Sequence, residues 1–164
     1  MTIHLRKAHH SDLPFLREML YEAVFWRPAA NKPTFEEGLA YPEVSRALAD
    51  WGEREDDTAV IATIDAVPAG AAWYRFYTGD NFINGYIDET TPVLVIAVHR
   101  DHRRRGIASR MIQWLIDCAS HTGVKRLSLS VSKDNHALNL YRQQGFEQYA
   151  DKGDAFLMVR EISK

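Results

Sequence analysis

A basic turn between an apolar run and an amphipathic segment is the part of this sequence best suited to chemistry. Its residues are Arg103, Arg104, Arg105, Gly106, Ile107, Ala108 and Ser109. The first N–H groups of a helix have no partner within the helix, and the helix dipole adds partial positive charge there. Gly106 has no side chain to keep an anion away from the backbone, and arginines offer paired donors that match phosphate oxygens. The turn is therefore predicted to bind a phosphate or pyrophosphate group.

An alternative is that the arginines form a solvated face that attracts anions without specificity. The position of the turn favours a specific site, because ligand sites in open α/β sheets lie beyond the carboxyl ends of strands. The turn follows Val93–Val98, an unbroken run rich in β-branched residues that predicts a central strand buried on both faces. It matches neither the GxxxxGK[ST] sequence of a P-loop nor the GxGxxG fingerprint of a dinucleotide-binding turn.

The rest of the chain supplies the elements that must position this turn. Hydrophobic periodicity predicts a helix from about Ile107 to Ala119 directly after it. Further strands are predicted at 3–6, 58–64, 70–77, 127–132, 146–150 and 156–162, and further helices at about 12–25, 34–51 and 135–144. The order β-α-α-β-β-β-α-β-α-β-β predicts a single α/β (α+β) domain over residues 1–164, with helices on both faces of a mixed sheet.

Two motifs resemble the GNAT superfamily of acyltransferases. The family's signature turn, [QR]-x-x-G-x-[GA], reads Arg103-Arg104-Arg105-Gly106-Ile107-Ala108 here. The segment from Asp134 to Phe146 is similar to the family pattern N-x(1–2)-A-x-x-L-Y-x-x-x-G-F. The resemblance implies a mostly antiparallel GNAT-like sheet, acetyl-CoA as co-substrate and no metal.

The resemblance also assigns roles to individual residues. It implies that the amides of the turn, Arg103 to Ser109, hold the pyrophosphate, and that backbone groups of Ile96, Ala97 and Val98 pair with the pantetheine arm. This pairing requires the strands at 93–98 and 127–132 to splay apart. Asn135 is expected to hold the pantetheine arm or to cap its helix. Tyr141 is expected to contact the cofactor and to protonate the departing thiolate, although such a tyrosine also commonly packs in a core.

The general base is less well defined by the sequence. Glu89 is the candidate, with Asp88 beside it and His99 as alternatives, although all three also suit an ordinary solvated surface. Cys118 lacks the surroundings that activate a thiol, which favours direct transfer in a ternary complex over an acyl-cysteine. The acidic residues of the long loop 78–92 would suit a cationic amine.

Composition limits the classes of function. The 164 residues carry a formal net charge of −2, which argues against a nucleic-acid partner. A single cysteine and the lack of a signal-like or membrane-spanning segment favour a soluble, cytoplasmic protein. The histidine pairs lack companions with metal-ligand spacing.

These features together predict an N-acetyltransferase that acts on a small-molecule or peptide amine, with a homodimer as one option because dimers are common in the family. The alternative is a catalytically silent acyl-CoA-binding module that senses the cofactor or serves as an interaction partner. A third interpretation, a basic patch for RNA or a phosphoprotein, fits poorly with the near-zero net charge.

Overall fold

A computed structural model describes residues 2–28 and 31–162 of the chain. The strands are β1 (Ile3–Lys7), β2 (Thr58–Ile64), β3 (Val67–Arg75), β4 (Val93–Val98), β5 (Arg126–Ser132), β6 (Glu147–Asp151) and β7 (Ala155–Glu161). The helices are α1 (Leu13–Val24), α2 (Phe35–Ala40), α3 (Pro42–Ser45), α4 (Ile107–His121) and α5 (Ala137–Gln143), with short 3-10 turns at His10–Asp12 and Arg100–His102. Among the described helices, none combines the length and the apolar character that crossing a bilayer requires.

The strands form one sheet in the order β1-β2-β3-β4-β5-β7-β6. Neighbouring strands in the described chain run antiparallel except β4 and β5, which are parallel. The predicted mixed, mostly antiparallel sheet is therefore confirmed. Helices cover both faces, and β4 sends alternate side chains to two cores: Leu94, Ile96 and Val98 pack with α4, whereas Val93, Val95 and Ala97 pack with α1.

Two connections differ from their predicted form. The hairpin between β2 and β3 turns on Asp65 and Ala66, both with left-handed φ angles of 50° and 73°, so β3 begins at Val67 and earlier than predicted. A proline at the first position of a helix can restart it, and the helical stretch expected over 34–51 does restart at Pro42. The difference is that α3 ends at Ser45, before the expected end at Trp51. The capping box that opens α2 is present, with Thr34 Oγ1 accepting from the Glu37 amide at 3.2 Å.

Side chains of β3 explain why residues 46–51 form turns rather than a continued helix. The guanidinium of Arg75 is fully buried and forms a two-point ion pair with Asp57, at 2.9 and 2.7 Å. It also donates to the Ala49 carbonyl at 2.7 Å and lies over the ring of Trp51. Trp73 Nε1 donates to the Ala47 carbonyl at 3.3 Å. These bonds take carbonyl groups that a longer helix would use internally, and they fix the segment against the sheet.

Replacing Arg75 with methionine is expected to destabilise the protein by about 3–5 kcal/mol, because Asp57 would keep a buried and unpaired charge. Urea unfolding followed by circular dichroism measures the loss. The control is Lys133→Met, which breaks an exposed ion pair with Asp151 and should cost less than about 1 kcal/mol. Equal effects of the two substitutions would contradict the role given to Arg75.

Candidate functional site

The site begins where the central sheet divides. In the described chain, β4 and β5 pair at one position, Val93 with Ser128, and the Ser128 amide donates to the Pro92 carbonyl at 3.1 Å. Beyond that pair the strands separate toward their carboxyl ends. The splay that the family resemblance implies is thus present, and it opens the middle of the sheet.

The alternation of hydrogen bonds shows which backbone groups face this opening. The Pro92 carbonyl faces β5, whereas the His99 amide donates to the Ala69 carbonyl on the other side of β4, at 2.7 Å. Because strand residues alternate in direction, the backbone groups of Ile96 and Val98 also point toward β5. They lie beyond its last pairing position. Ala97 directs its N–H and C=O to β3, so only its side chain is available to the opening.

A cavity of about 860 Å³ occupies the space between the diverging strands. Its walls bring together residues that are far apart in the sequence, from α1, β4, the basic turn, β5 and α5. The predicted site residues in this lining are Ile96, Ala97, Val98, Arg103, Arg104, Gly106, Ile107, Ala108, Ser109, Asn135 and Tyr141. Arg105 and Glu89 are the predicted residues that do not belong to the lining as the described residues form it.

The basic turn has the backbone geometry of an anion site. Arg104 and Gly106 both adopt left-handed φ angles, of 65° and 77°, and Gly106 is the residue that precedes the first turn of α4. A Cβ atom built on Gly106 would meet no described atom within 4 Å, so the space in front of the helix is open. The free N–H groups at the start of α4 point into this space, where they can receive an oxyanion.

The arginines of the turn do not act alike. Arg103 turns back, with its Nε donating to the Val98 carbonyl at 3.3 Å and its Nη2 lying 3.9 Å from Glu22 Oε2. Arg100 approaches the other oxygen of Glu22 at 3.6 Å. Arg104 lines the cavity, whereas Arg105 lies outside it. Glu22 was missed by the sequence analysis, because its place in the site depends on how α1 packs against β4.

Asn135 acts as a helix cap in this structure. Its Oδ1 accepts a hydrogen bond from the Ala137 amide at 2.9 Å at the start of α5. The backbone N–H of Asn135 donates to the Ser132 carbonyl at 3.0 Å, and this bond joins the helix start to the end of β5. Asn135 also lines the cavity, so the two roles considered for it are compatible in space.

Tyr141 lies on α5 with its side chain only 8% exposed, and it contributes to the cavity wall. Its ring packs edge-on against Phe146, with centroids 5.9 Å apart. Burial raises the pKa of the Tyr141 phenol, since an anionic oxygen would be poorly solvated there. The hydroxyl group is therefore protonated throughout the physiological range, as a proton donor must be.

The acidic candidates before β4 lie elsewhere. Glu89 is exposed and precedes the amino end of β4, whereas the basic turn follows its carboxyl end. Burial would raise the pKa of Asp88, but hydrogen bonds from Thr91 and Thr90 outweigh it and lower the pKa to about 2. Asp88 also pairs with Arg126 at 2.9 Å. Its carboxylate is thus a weak base with a structural partner.

Two further groups were considered for chemistry. Burial raises the pKa of the Cys118 thiol, which keeps it in the poorly nucleophilic protonated form. His99 Nδ1 accepts from the Asp101 amide at 3.2 Å in the 3-10 turn after β4.

Within residues 2–28 and 31–162, no group of three or more His, Cys, Asp or Glu side chains is arranged to hold a metal ion.

Solved structures share this architecture over nearly the whole chain. An N-acetyltransferase from Staphylococcus aureus Mu50 has a TM-score of 0.72 and 18% identity, covering 99% of this chain and 100% of the other. The PaiA N-acetyltransferase from Thermoplasma acidophilum, in complex with coenzyme A, has a TM-score of 0.69 and 17% identity, covering 98% and 99%. YncA, a putative acetyltransferase from Salmonella typhimurium with acetyl-CoA, has a TM-score of 0.69 and 19% identity, covering 100% and 96%.

Sequence comparison is consistent with the structural likeness. No curated protein sequence matches the chain significantly. The family model described as Acetyltransferase (GNAT) family matches residues 21–146, from the last turn of α1 to Phe146 after α5. The match covers well over half of the 164 residues and includes both motifs. The chain belongs to the GNAT acetyltransferase family.

Proposed function

We propose that the protein transfers an acetyl group from acetyl-CoA to a primary amine, directly and within one ternary complex. The observation that carries this proposal is the fork between β4 and β5. It places backbone groups of Ile96 and Val98 that do not pair with β5 beside a cavity that ends at the basic turn. A pantetheine arm has amide groups that can bond to such a strand edge, and its pyrophosphate would reach the start of α4. The coenzyme A and acetyl-CoA in the PaiA and YncA structures agree with this use of the fold.

The chemical step needs a neutral amine and a leaving group that can depart. The amine nitrogen attacks the thioester carbonyl carbon, a C–N bond forms, and the C–S bond breaks with its electron pair moving to sulfur. Tyr141 gives its proton to the sulfur, so coenzyme A leaves as the thiol. The nitrogen loses its surplus proton to water, and the Tyr141 phenolate regains one from solvent. The products are the N-acetylated amine and coenzyme A.

Water is assigned the amine proton because of where the carboxylates lie. Glu89 lies outside the cavity wall. Its role as general base stays a prediction, because the 78–92 loop would have to move to bring its carboxylate into the cavity. Two glutamates line the cavity as the described residues form it: Glu22 faces Arg100 and Arg103, and Glu43 lies on α3, away from the basic turn. The ammonium form of the amine releases one proton to water before attack, and the neutral form needs no dedicated base.

Calorimetric titration with acetyl-CoA tests the cofactor site. The wild type should show saturable binding at one site, with weaker binding of ADP. Gly106→Glu should weaken acetyl-CoA binding by tenfold or more, about 1.4 kcal/mol, because its carboxylate occupies the space meant for phosphate.

The matched control for this titration is Gly153→Glu. Gly153 also has a left-handed φ, of 95°, and open space around its Cβ position, but it lies in the β6–β7 turn. The control therefore also places a side chain at a left-handed position and adds the same charge. No binding by the wild type, or equal loss in both variants, would overturn the cofactor site. Binding without turnover of any amine would instead indicate a silent acyl-CoA-binding module.

Tyr141→Phe tests the proton donor, with the amine that the wild type acetylates fastest in a panel of primary amines. The substitution should lower kcat about 10²-fold and leave acetyl-CoA binding unchanged. Because the pKa of Tyr141 is raised, loss of its proton is shifted to higher pH, so the wild-type rate should not fall between pH ~7 and ~9.

Tyr77→Phe is the control, since Tyr77 is also a buried tyrosine but lies outside the cavity lining formed by the described residues. It should retain the wild-type rate. Full activity of Tyr141→Phe would show that the thiolate leaves without help from this residue.

A further inference from the structure

The two ends of the cavity carry opposite charge. At the carboxyl end of β4, Arg103 and Arg104 belong to the wall, and Glu22 is held by Arg100 and Arg103. The opposite end is formed by α3 and the 78–92 loop. Its wall is mostly apolar, with Val44, Ala47 and Ile83 buried, and its polar members are Glu43 and Asn84.

Hydrogen bonds from β3 to the segment after α3 fix the position of this second end. Trp73 and Arg75 bond to the carbonyl groups of Ala47 and Ala49, and these two β3 residues pair with Val95 and Val93. Residues 47–49 are therefore fixed over the amino half of β4, away from the basic turn. α3, which directly precedes them, presents Glu43 to the cavity from the same side.

Glu43 carries a negative charge that its surroundings leave unneutralised. Within residues 2–28 and 31–162, no ion pair within 4.0 Å involves its carboxylate. Arg46 is three residues further along the chain, close enough for the usual helical ion pair. Its guanidinium instead donates to the Phe82 carbonyl at 3.3 Å and so joins α3 to the 78–92 loop. Glu43 is an exposed side chain at the wall of a large cavity and can meet a ligand directly.

We propose that Glu43 binds the ammonium group of the acceptor and makes the site selective for amines that have an apolar body and no carboxylate. This inference rests on the proposed acetyltransferase function and names the substrate class for it. An ammonium ion would donate to the Glu43 carboxylate while the apolar body contacts Val44 and Ile83. A carboxylate beside the amine would be repelled by Glu43. Before attack the bound ammonium loses one proton to water, so the nitrogen that reacts is the neutral amine. Glu43 is thus a specificity-determining residue that acts in binding.

The test measures ligand binding to the protein saturated with coenzyme A, which forms a complex that cannot react. The probes are phenethylamine, 2-phenylethanol and phenylalanine, which share an aromatic body and differ in charge. The wild type should bind phenethylamine most tightly. Glu43→Gln should weaken phenethylamine binding about fivefold, the upper end for a partly exposed ion pair, and leave 2-phenylethanol and coenzyme A binding unchanged.

Glu36→Gln is the matched control, because Glu36 is an exposed glutamate in the first turn of neighbouring α2 and lies outside the cavity lining defined by the described chain. It should bind all probes like the wild type, and thermal melts should show that both variants are folded. Unchanged phenethylamine binding in Glu43→Gln, an equal loss in Glu36→Gln, preferred binding of phenylalanine, or no binding of phenethylamine would each overturn the role of Glu43. Absence of coenzyme A binding in the wild type would overturn the proposed function instead.

Discussion

The site depends on the interruption of hydrogen bonding between β4 and β5. Each strand is secured on its other side, β4 by β3 and β5 by β7, so the gap does not unravel the sheet. Gly85 closes the base of the fork. Its carbonyl accepts from Ser128 Oγ at 2.6 Å, and a methyl group there would lie 2.8 Å from Val93 Cγ1 and 3.2 Å from the Ser130 amide nitrogen. A glycine with φ of 105° fits where the strands begin to part, and any larger residue would push them further apart.

In the proposed function, the same interruption lets one cavity serve two reactants. In that function, the basic turn and the start of α4 would hold the pyrophosphate at the carboxyl end of β4. The buried Arg75 on β3 holds the turns after α3 over the amino half of β4. This contact positions the other end of the cavity. Under the two proposals, the opposite charges at the two ends would orient an anionic cofactor and a cationic amine toward each other. Orientation of this kind accounts for a large share of what an enzyme must supply when the leaving group is already good.

Local sequence patterns predicted the parts of the site that are local in the chain. Val93–Val98, the basic turn and the helix after it form one continuous segment. Asn135 lies two residues before α5, and α5 carries Tyr141. Residues that reach the cavity through tertiary packing were not predicted. Glu22 and Glu43 look like ordinary surface glutamates in the sequence, and their roles emerge only once α1 and α3 are placed against the sheet. Glu89 was a candidate because it lies close to β4 in the sequence. It precedes the amino end of β4, however, whereas the basic turn follows the carboxyl end.

Amide hydrogen exchange of β4, resolved by residue with NMR, tests the central claim most directly. Addition of acetyl-CoA should slow exchange at Ile96 and Val98 tenfold or more, because their N–H groups would gain acceptors on the pantetheine arm. The Ala97 amide, which already faces β3, should change much less, and ADP should protect neither Ile96 nor Val98 because it lacks the arm. Saturation with acetyl-CoA without added protection at Ile96 and Val98 would contradict the account, since the cofactor would then bind without using the edge that the fork exposes.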